Sequence, residues 1–343
     1  MPPVKGSNGV APRTCPAVPE WATPALESVL RRVAITQDEV GGRFPLFADP
    51  GTGRWTTTGR GSWAGGFWAA LLWLRARYTK DDGDHEAAAE YTGRLADWVH
   101  ADTATRGLIF WYGTAFADTT ESAALRERAA HACRNAYDAE LGLVPWGSAF
   151  GGPRFLARVD SVPGMVPLLA TVDVPAAESH LRRHLELCLG DGGFGWSWRY
   201  ERPGGWVPCD APPPGWSRGR SWLLLAVADA VHLLHADDLA DTAGYLAPEQ
   251  AVPLADEAHP GGPLDTSAAA ITAVALLKLG HRERAVRVLE ELVRTQLSDD
   301  GRLLDGCYDL DAGTATRHEL IWGDFYLTYA LAVLTGLVEP QEA

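Results

Sequence analysis

The stretch "SAAAITAVALLKLGHRERAVRVLEELVRTQL", Ser267 to Leu297, holds two helices of opposite character on either side of Gly280. The first, Ser267 to Leu279, is apolar almost all round, which marks a helix enclosed by other helices. In the second, Ala285, Val288, Leu289, Leu292 and Val293 recur at helical spacing and form one apolar stripe, leaving Arg and Glu to face water. Ala268, Ala269 and Ala270 permit close helix approach. An enclosed helix followed by a half-buried one makes a hairpin with an inner and an outer arm, so the fold depends on how often this pair repeats.

It repeats along the whole chain. "GFWAALLWL" (Gly66–Leu74) and "SWLLLAVADAVHLL" (Ser221–Leu234) have the enclosed character, and amphipathic, charged segments lie between such runs. Periodicity predicts about a dozen helices, starting near Thr23, Trp63, Asp84, Gly107, Glu121, Asp160, Pro175, Trp216, Leu239, Thr266, Arg282 and Ile321. No run of alternating residues reads as a strand, so the expected class is all-α. About six inner and six outer helices describe a single-domain (α/α)6 barrel, expected over residues 21–337. Residues 1–20 are expected as a flexible N-terminal segment and 338–343 as a C-terminal tail.

Composition excludes several partners. A formal net charge of −14 argues against nucleic acid, which needs a basic face, and against an anionic membrane surface. No segment has the apolar length of a membrane span or of a signal peptide. Five cysteines, Cys15, Cys133, Cys188, Cys209 and Cys307, are an odd number without a C-x-x-C pair, which fits reduced thiols and a cytoplasmic location better than a disulfide framework or a zinc site. His180 and His184 have the spacing of a helical metal pair, but no zincin Glu follows His180, and a solvated face of an outer helix is the expected setting. The chain is compatible with a homodimer.

Each inner helix is preceded by a segment rich in Trp, Gly or Asp: "GRGSWAGGFW", "ADTATRGLIF", "RFLARVDSVPG", "PPPGWSRGRSW", "GGPLDTSAAA" and "RHELIWGDFY". In a barrel all six meet at one end, where unpaired helix N–H groups favour oxygen-rich or anionic ligands. Of the fourteen tryptophans, Trp63, Trp68, Trp146, Trp196, Trp198, Trp216, Trp222 and Trp322 lie in or near these segments. Aromatic faces interleaved with Arg and Asp suit sugar rings, with their apolar C–H faces and polar rims, so the expected partner is a small-molecule sugar or sugar-like compound. Asp160, at the mouth of an apolar run, reads either as a helix cap or as an acid/base group.

The same segments resemble the signatures of the unsaturated glucuronyl hydrolases (glycoside hydrolase family 88) and the related unsaturated rhamnogalacturonyl hydrolases (family 105). "SWAGGFWAALLWL" is similar to W-x-x-GFW-x-G-x-LWL, "RVDSVPG" to I-D-N-M-M-N, "GWSRGRSW" to W-x-R-G-Q-x-W, "LDTSAAAI" to D-S-S-A-x-A-I, and "HELIWGDFY" to the region around ELIWGDYY, in order from about Phe44 to Leu331. The resemblance implies hydration of the enol ether of a 4,5-unsaturated uronic acid, followed by loss of the attached sugar, with no metal or organic cofactor. It places Asp160 on the family's acid/base Asp and Trp146 at a spacing like the family's pocket Trp, and it assigns the sugar site to Arg218 and Trp222 with Trp216 stacking beside them, while the lead-in segments add Trp63, Trp68, Asp265 and Trp322 as expected substrate contacts.

Three positions depart from the pattern. Thr105 stands where H-D-L-G-F carries a second Asp, with Asp102 the nearest carboxylate and hence the candidate catalytic substitute. The expected His of D-G-S-x-x-H is absent, with Trp196 nearby, and Arg220 replaces the Gln of W-x-R-G-Q-x-W. Asp160 and the candidate barrel are kept while the groups holding the sugar are remade. Two alternatives accompany this reading: a relative recruited to natural-product biosynthesis with altered chemistry, and a non-catalytic sugar-binding protein.

Overall fold

Six helical hairpins realise the alternation of enclosed and half-buried helices in the computed structural model, which describes residues 17–190 and 193–343. The outer helices are α1 (Ala22–Val40), α3 (Asp82–Arg94), α5 (Thr120–Ala136), α7 (Val174–Cys188), α9 (Ala240–Leu246) and α11 (Arg282–Thr295). The inner ones are α2 (Gly65–Thr79), α4 (Tyr112–Ala115, continuing a π-helical turn from Gly107), α6 (Met165–Ala170), α8 (Ser217–Leu233), α10 (Thr266–Lys278) and α12 (Ile321–Thr335). Each inner helix packs on the next, and α12 returns to α2, closing the ring. Along α10 every residue from Thr266 to Lys278 is buried, whereas α11 buries only Ala285, Val288, Leu289 and Leu292.

Phe67, Tyr112, Trp222, Phe325 and Tyr326 meet inside the ring, with ring centroids 5.4 Å apart for Phe67–Tyr112, 5.3 Å for Phe67–Phe325 and 5.6 Å for Trp222–Tyr326. These aromatics plug the barrel. A ligand can therefore enter from an end but cannot pass through. Residues 338–343, expected as a tail, pack against the barrel: Val338 and Ala343 are buried, and Lys278 donates to the Ala343 backbone oxygen and, at 2.6 Å, to Asp229.

Among the described residues, six short strands accompany the helices. β1 (Phe44–Ala48) pairs antiparallel with β2 (Trp55–Thr58) and with β6 (Glu319–Leu320), while β3 (Leu156–Arg158), β4 (Ser197–Glu201) and β5 (Gly205–Pro208) form a second antiparallel sheet. At two to five residues each they are too short for alternation to be read from sequence. The first sheet is anchored by buried Glu319, whose two oxygens accept from Arg32 Nε at 2.9 Å and Arg302 Nε at 3.0 Å. Both oxygens of this buried charge are thus paired, as an interior carboxylate requires.

One expectation fails at α7. His180 and His184 are fully buried rather than solvated, because they belong to the same inward stripe as Ala176, Ala177, Leu181 and Leu187. Burial holds both rings neutral: desolvation keeps His180 well below the usual imidazole range and lowers His184 to about 4.

Candidate active site

A cavity of about 460 Å³ opens at the end of the barrel where the inner helices begin. Its lining includes Trp63, Thr105, Trp146, Asp160, Trp216, Arg218 and Trp222, seven of the residues that the sequence singles out.

Asp160 reaches this space on a single 3-10 turn, Val159–Ser161, which follows β3. It is not a helix cap. α6 starts five residues later at Met165, behind Gly164 in the left-handed conformation (φ 69°), and no side chain caps it. The turn is held by the Val159 N–H, which donates to the Trp196 carbonyl at 3.0 Å. Gly164 lies directly against Gly107, where a Cβ would stand 2.2 Å from the Met165 nitrogen. Only glycine lets the π-helical turn and the start of α6 approach this closely.

The Asp160 carboxylate is gripped by Arg158, from Nε to Oδ1 at 3.1 Å and from Nη2 to Oδ2 at 3.3 Å. Arg158 in turn lies over the Trp146 ring, 5.0 Å from its centroid. The charge of Asp160 is the main reason that Arg158 is pushed further above its usual pKa, against the opposing effect of burial. The immediate partner of Asp160 is therefore a cation, in place of a purely apolar surrounding. Sequence reasoning missed Arg158, which ends β3 and folds its side chain back onto Asp160 in the following 3-10 turn.

Arg218 lines the cavity but is not a free fork. Its Nη1 donates to Asp265 and to the Cys307 carbonyl, and its Nη2 to the Tyr308 carbonyl at 2.7 Å. The guanidinium also lies over Trp216 and Trp322, at 5.1 and 5.6 Å from their centroids. It acts as a pin joining the start of α8, the N-cap of α10 and the loop carrying Tyr308, Asp309 and Asp311, which also line the cavity and were not singled out from sequence. Ser62, Phe150, Pro212, Pro213 and Asp256 are among the other unforeseen residues of the wall. No local signal marks these residues.

The remaining expected residues stand outside the lining. Asp265 is fully buried, capping α10 through the Ser267 N–H and holding Arg218. Trp322 is fully buried behind Trp63, 4.8 Å away between centroids, and supports the wall from behind. Trp196 is buried beneath α8, its Nε1 donating to the Pro214 carbonyl at 2.9 Å. Gly219 makes room for it, since a Cβ there would come within 2.7 Å of both Trp196 and Trp216. Trp68 points elsewhere, toward Arg32, Thr36, Trp55 and Asp324, since it sits on α2 whereas Trp63 lies on the separate 3-10 turn Ser62–Ala64 before it. Arg220, two residues after Arg218 and so on the opposite side of α8, pairs with Glu257 at 3.3 Å and lies over Phe194.

Asp102 does not replace the carboxylate missing at Thr105. Burial works against its charged form, but Arg154 Nε at 2.9 Å and the Ser148 N–H and hydroxyl at 3.1 and 3.0 Å hold its carboxyl below the usual range, outside the cavity. Thr105 does line the cavity, with its hydroxyl 2.9 Å from that of Thr103. Among the described residues no group of three His, Cys, Asp or Glu side chains is gathered as a metal site, and no helix is long and apolar enough to cross a membrane.

This geometry can stack a flat ligand face on tryptophan and present one Arg-held carboxylate to it. No protein-family model matches the chain. An unsaturated glucuronyl hydrolase of Bacillus sp. (strain GL1) is 26% identical over 362 residues, covering 90% of this chain and 95% of the relative. The solved structure of the Bacillus sp. GL1 enzyme, described as responsible for the degradation of glycosaminoglycan, superposes with a TM-score of 0.79 at 22% identity, covering 91% of this chain and 96% of that one. An unsaturated glucuronyl hydrolase specific for heparin gives a TM-score of 0.83 at 17% identity, covering 92% and 97%. The chain is thus similar in sequence, over nearly its whole length, to an unsaturated glucuronyl hydrolase, and it shares the six-hairpin barrel of the solved unsaturated glucuronyl hydrolases.

Proposed function

We propose that the protein is a glycoside hydrolase that hydrates the enol ether of an unsaturated uronic acid sugar, with Asp160 as the general acid and base. The observation that carries this is the convergence of Asp160 with Trp63, Trp146, Trp216 and Trp222 around one dead-end cavity. The likeness to a sequence relative named as an unsaturated glucuronyl hydrolase supports the reaction class and lends nothing to the biosynthetic or non-catalytic alternatives.

The chemistry asks little beyond a proton, a water and positioning. Asp160 gives its proton to C4 of the C4=C5 double bond, leaving positive charge shared between C5 and the ring oxygen. Arg158 steadies the carboxylate that remains. Water adds to C5 as Asp160 takes its proton, and the resulting hemiketal opens, releasing the attached sugar as an alcohol. Tryptophan faces hold the ring through its C–H surface and exclude competing water. Arg218 serves this site by fixing Trp216 and the Tyr308 loop, since Nη1 and Nη2 are already engaged. A cytoplasmic location fits the free thiols of Cys133, Cys188, Cys209 and Cys307.

The test is incubation with unsaturated disaccharides from lyase digests of glycosaminoglycan or pectin, following loss of the ultraviolet absorbance of the double bond. Loss of absorbance together with release of the second sugar supports the reading. Unchanged absorbance across the panel refutes it.

A further inference from the structure

The two buried histidines of α7 lie directly beneath the turn that carries Asp160. The Val144 N–H donates to His180 Nδ1 at 3.1 Å, so that nitrogen carries no proton. The proton of His180 is therefore on Nε2, which faces the Ser161 carbonyl at 3.4 Å. His184 has the opposite tautomer. Its Nδ1 donates to the His180 carbonyl at 2.8 Å, and its bare Nε2 faces the Ser161 hydroxyl at 3.4 Å. The Ser161 hydroxyl donates its one proton to the Arg158 carbonyl, so the bare Nε2 of His184 accepts no bond from it.

We propose that His180 is a positioning residue for Asp160, anchoring the Val159–Ser161 turn on α7 through the Ser161 carbonyl, so that the acid/base group keeps a fixed place opposite the aromatic wall. Three observations meet here. Both rings are fully buried and the tautomer of each is dictated by a backbone partner. His180 bridges the two segments, Val144 two residues from the cavity-lining Trp146 and Ser161 next to Asp160. The turn itself is only three residues long and has few bonds of its own. Leucine at position 180 would leave the buried Val144 N–H without its acceptor and the Ser161 carbonyl without this donor. The Nε2–H of His180 gives the turn a directional support, and proton transfer to carbon tolerates little misplacement.

This inference rests on the proposed reaction, but its test separates the two. Asn can place an acceptor where His Nδ1 stands, and Gln a donor where His Nε2 stands. His180→Asn keeps the bond from Val144 and loses the Ser161 tether, while His180→Gln does the reverse. Each loses one buried bond, so both should melt somewhat below wild type by similar amounts. The expected kinetic result is unequal: kcat in His180→Asn falls roughly tenfold or more with KM little changed, while His180→Gln stays within about threefold of wild type. Hydrogen exchange of the peptide covering residues 156–162 should accelerate in His180→Asn and stay near wild type in His180→Gln. Equal losses of kcat, or equal exchange rates, in the two variants would overturn the proposal. The exchange measurement decides even if no unsaturated uronide is turned over, an outcome that would refute only the proposed reaction. Should His180→Asn fail to fold, His180→Gln decides alone: exchange of the same peptide is expected to stay near wild type, and accelerated exchange would overturn the proposal.

Discussion

Replacing Arg158 with Gln removes the grip on Asp160 while keeping a polar side chain of moderate length. Two nitrogen–oxygen contacts of 3.1 and 3.3 Å are lost, between side chains that are 29% and 21% exposed. Coulomb attraction at such a separation is about 4 kcal/mol at an effective dielectric of about 20, and this is an upper bound. Hydrogen bonds to charged groups contribute roughly 1.5 to 3 kcal/mol net. If that support is expressed mainly once Asp160 has given up its proton, it enters the barrier to protonating carbon, and 1.36 kcal/mol corresponds to a factor of about ten in rate. The expected fall in kcat for Arg158→Gln is therefore about 10- to 100-fold. The assay is kcat and KM on an unsaturated disaccharide, beside a thermal melt. The melt should move only a few degrees, because a half-buried pair near the surface contributes about 1 kcal/mol to folding. Arg158→Lys should fall between the two, keeping the charge without the planar fork. An unchanged kcat in Arg158→Gln would refute the reasoning and leave Arg158 a support for Trp146 alone.

Acid stability provides a second check. The pKa of His184 is depressed to about 4 in the fold and returns to about 6.5 on unfolding, so the unfolded chain binds more protons between those values and stability rises with pH there. The contribution is complete above about pH 6.5 and lost as pH falls to about 4, on the order of 3 kcal/mol; His184→Gln should flatten that part of a stability profile measured by denaturant melts, and an identical slope would contradict it. Asp102→Ala should leave kcat within about twofold of wild type, since its carboxylate is committed to Arg154 and Ser148, whereas loss of a positioned catalytic group costs about 10²-fold or more. Gly107→Ala should destabilise by about 3 kcal/mol or more, because its Cβ would meet backbone at Met165 and Gly164 that cannot rotate aside, and a melt at wild-type temperature would show that the contact relaxes freely.

The barrel was readable because its two layers differ in solvation. An inner helix such as α10 is enclosed on all sides and an outer helix such as α11 on one, and that difference is written in which residues are apolar. The observed helix starts fall near the predicted ones, with the largest gap where the run beginning at Asp160 first makes a 3-10 turn and becomes α6 only after Gly164. Which lead-in residues face the cavity was only partly readable. Arg218 and Trp222, four apart, share a face and both line it, while Arg220 is rotated away by its offset of two residues and Trp68 lies on α2 beyond the turn that carries Trp63.

Partners distant in sequence were not readable at all. Asp102 is captured by Arg154, 52 residues on, and Arg218 is spent on Asp265, Cys307 and Tyr308. The histidines of α7 were misread because polarity was weighed above their place in the apolar stripe. They satisfy that polarity with backbone partners that only the folded chain brings near.

The measurement that bears most directly on the central reading is turnover of an unsaturated uronic acid disaccharide by Asp160→Asn. The amide keeps the size of the side chain, and Asp160 caps no helix, so the variant should melt close to wild type and still bind the sugar on its tryptophan walls. It cannot give a proton to carbon or take one from water, so kcat should fall by about 10³-fold or more. Near wild-type turnover in a correctly folded Asp160→Asn protein would remove Asp160 from the mechanism and contradict the account.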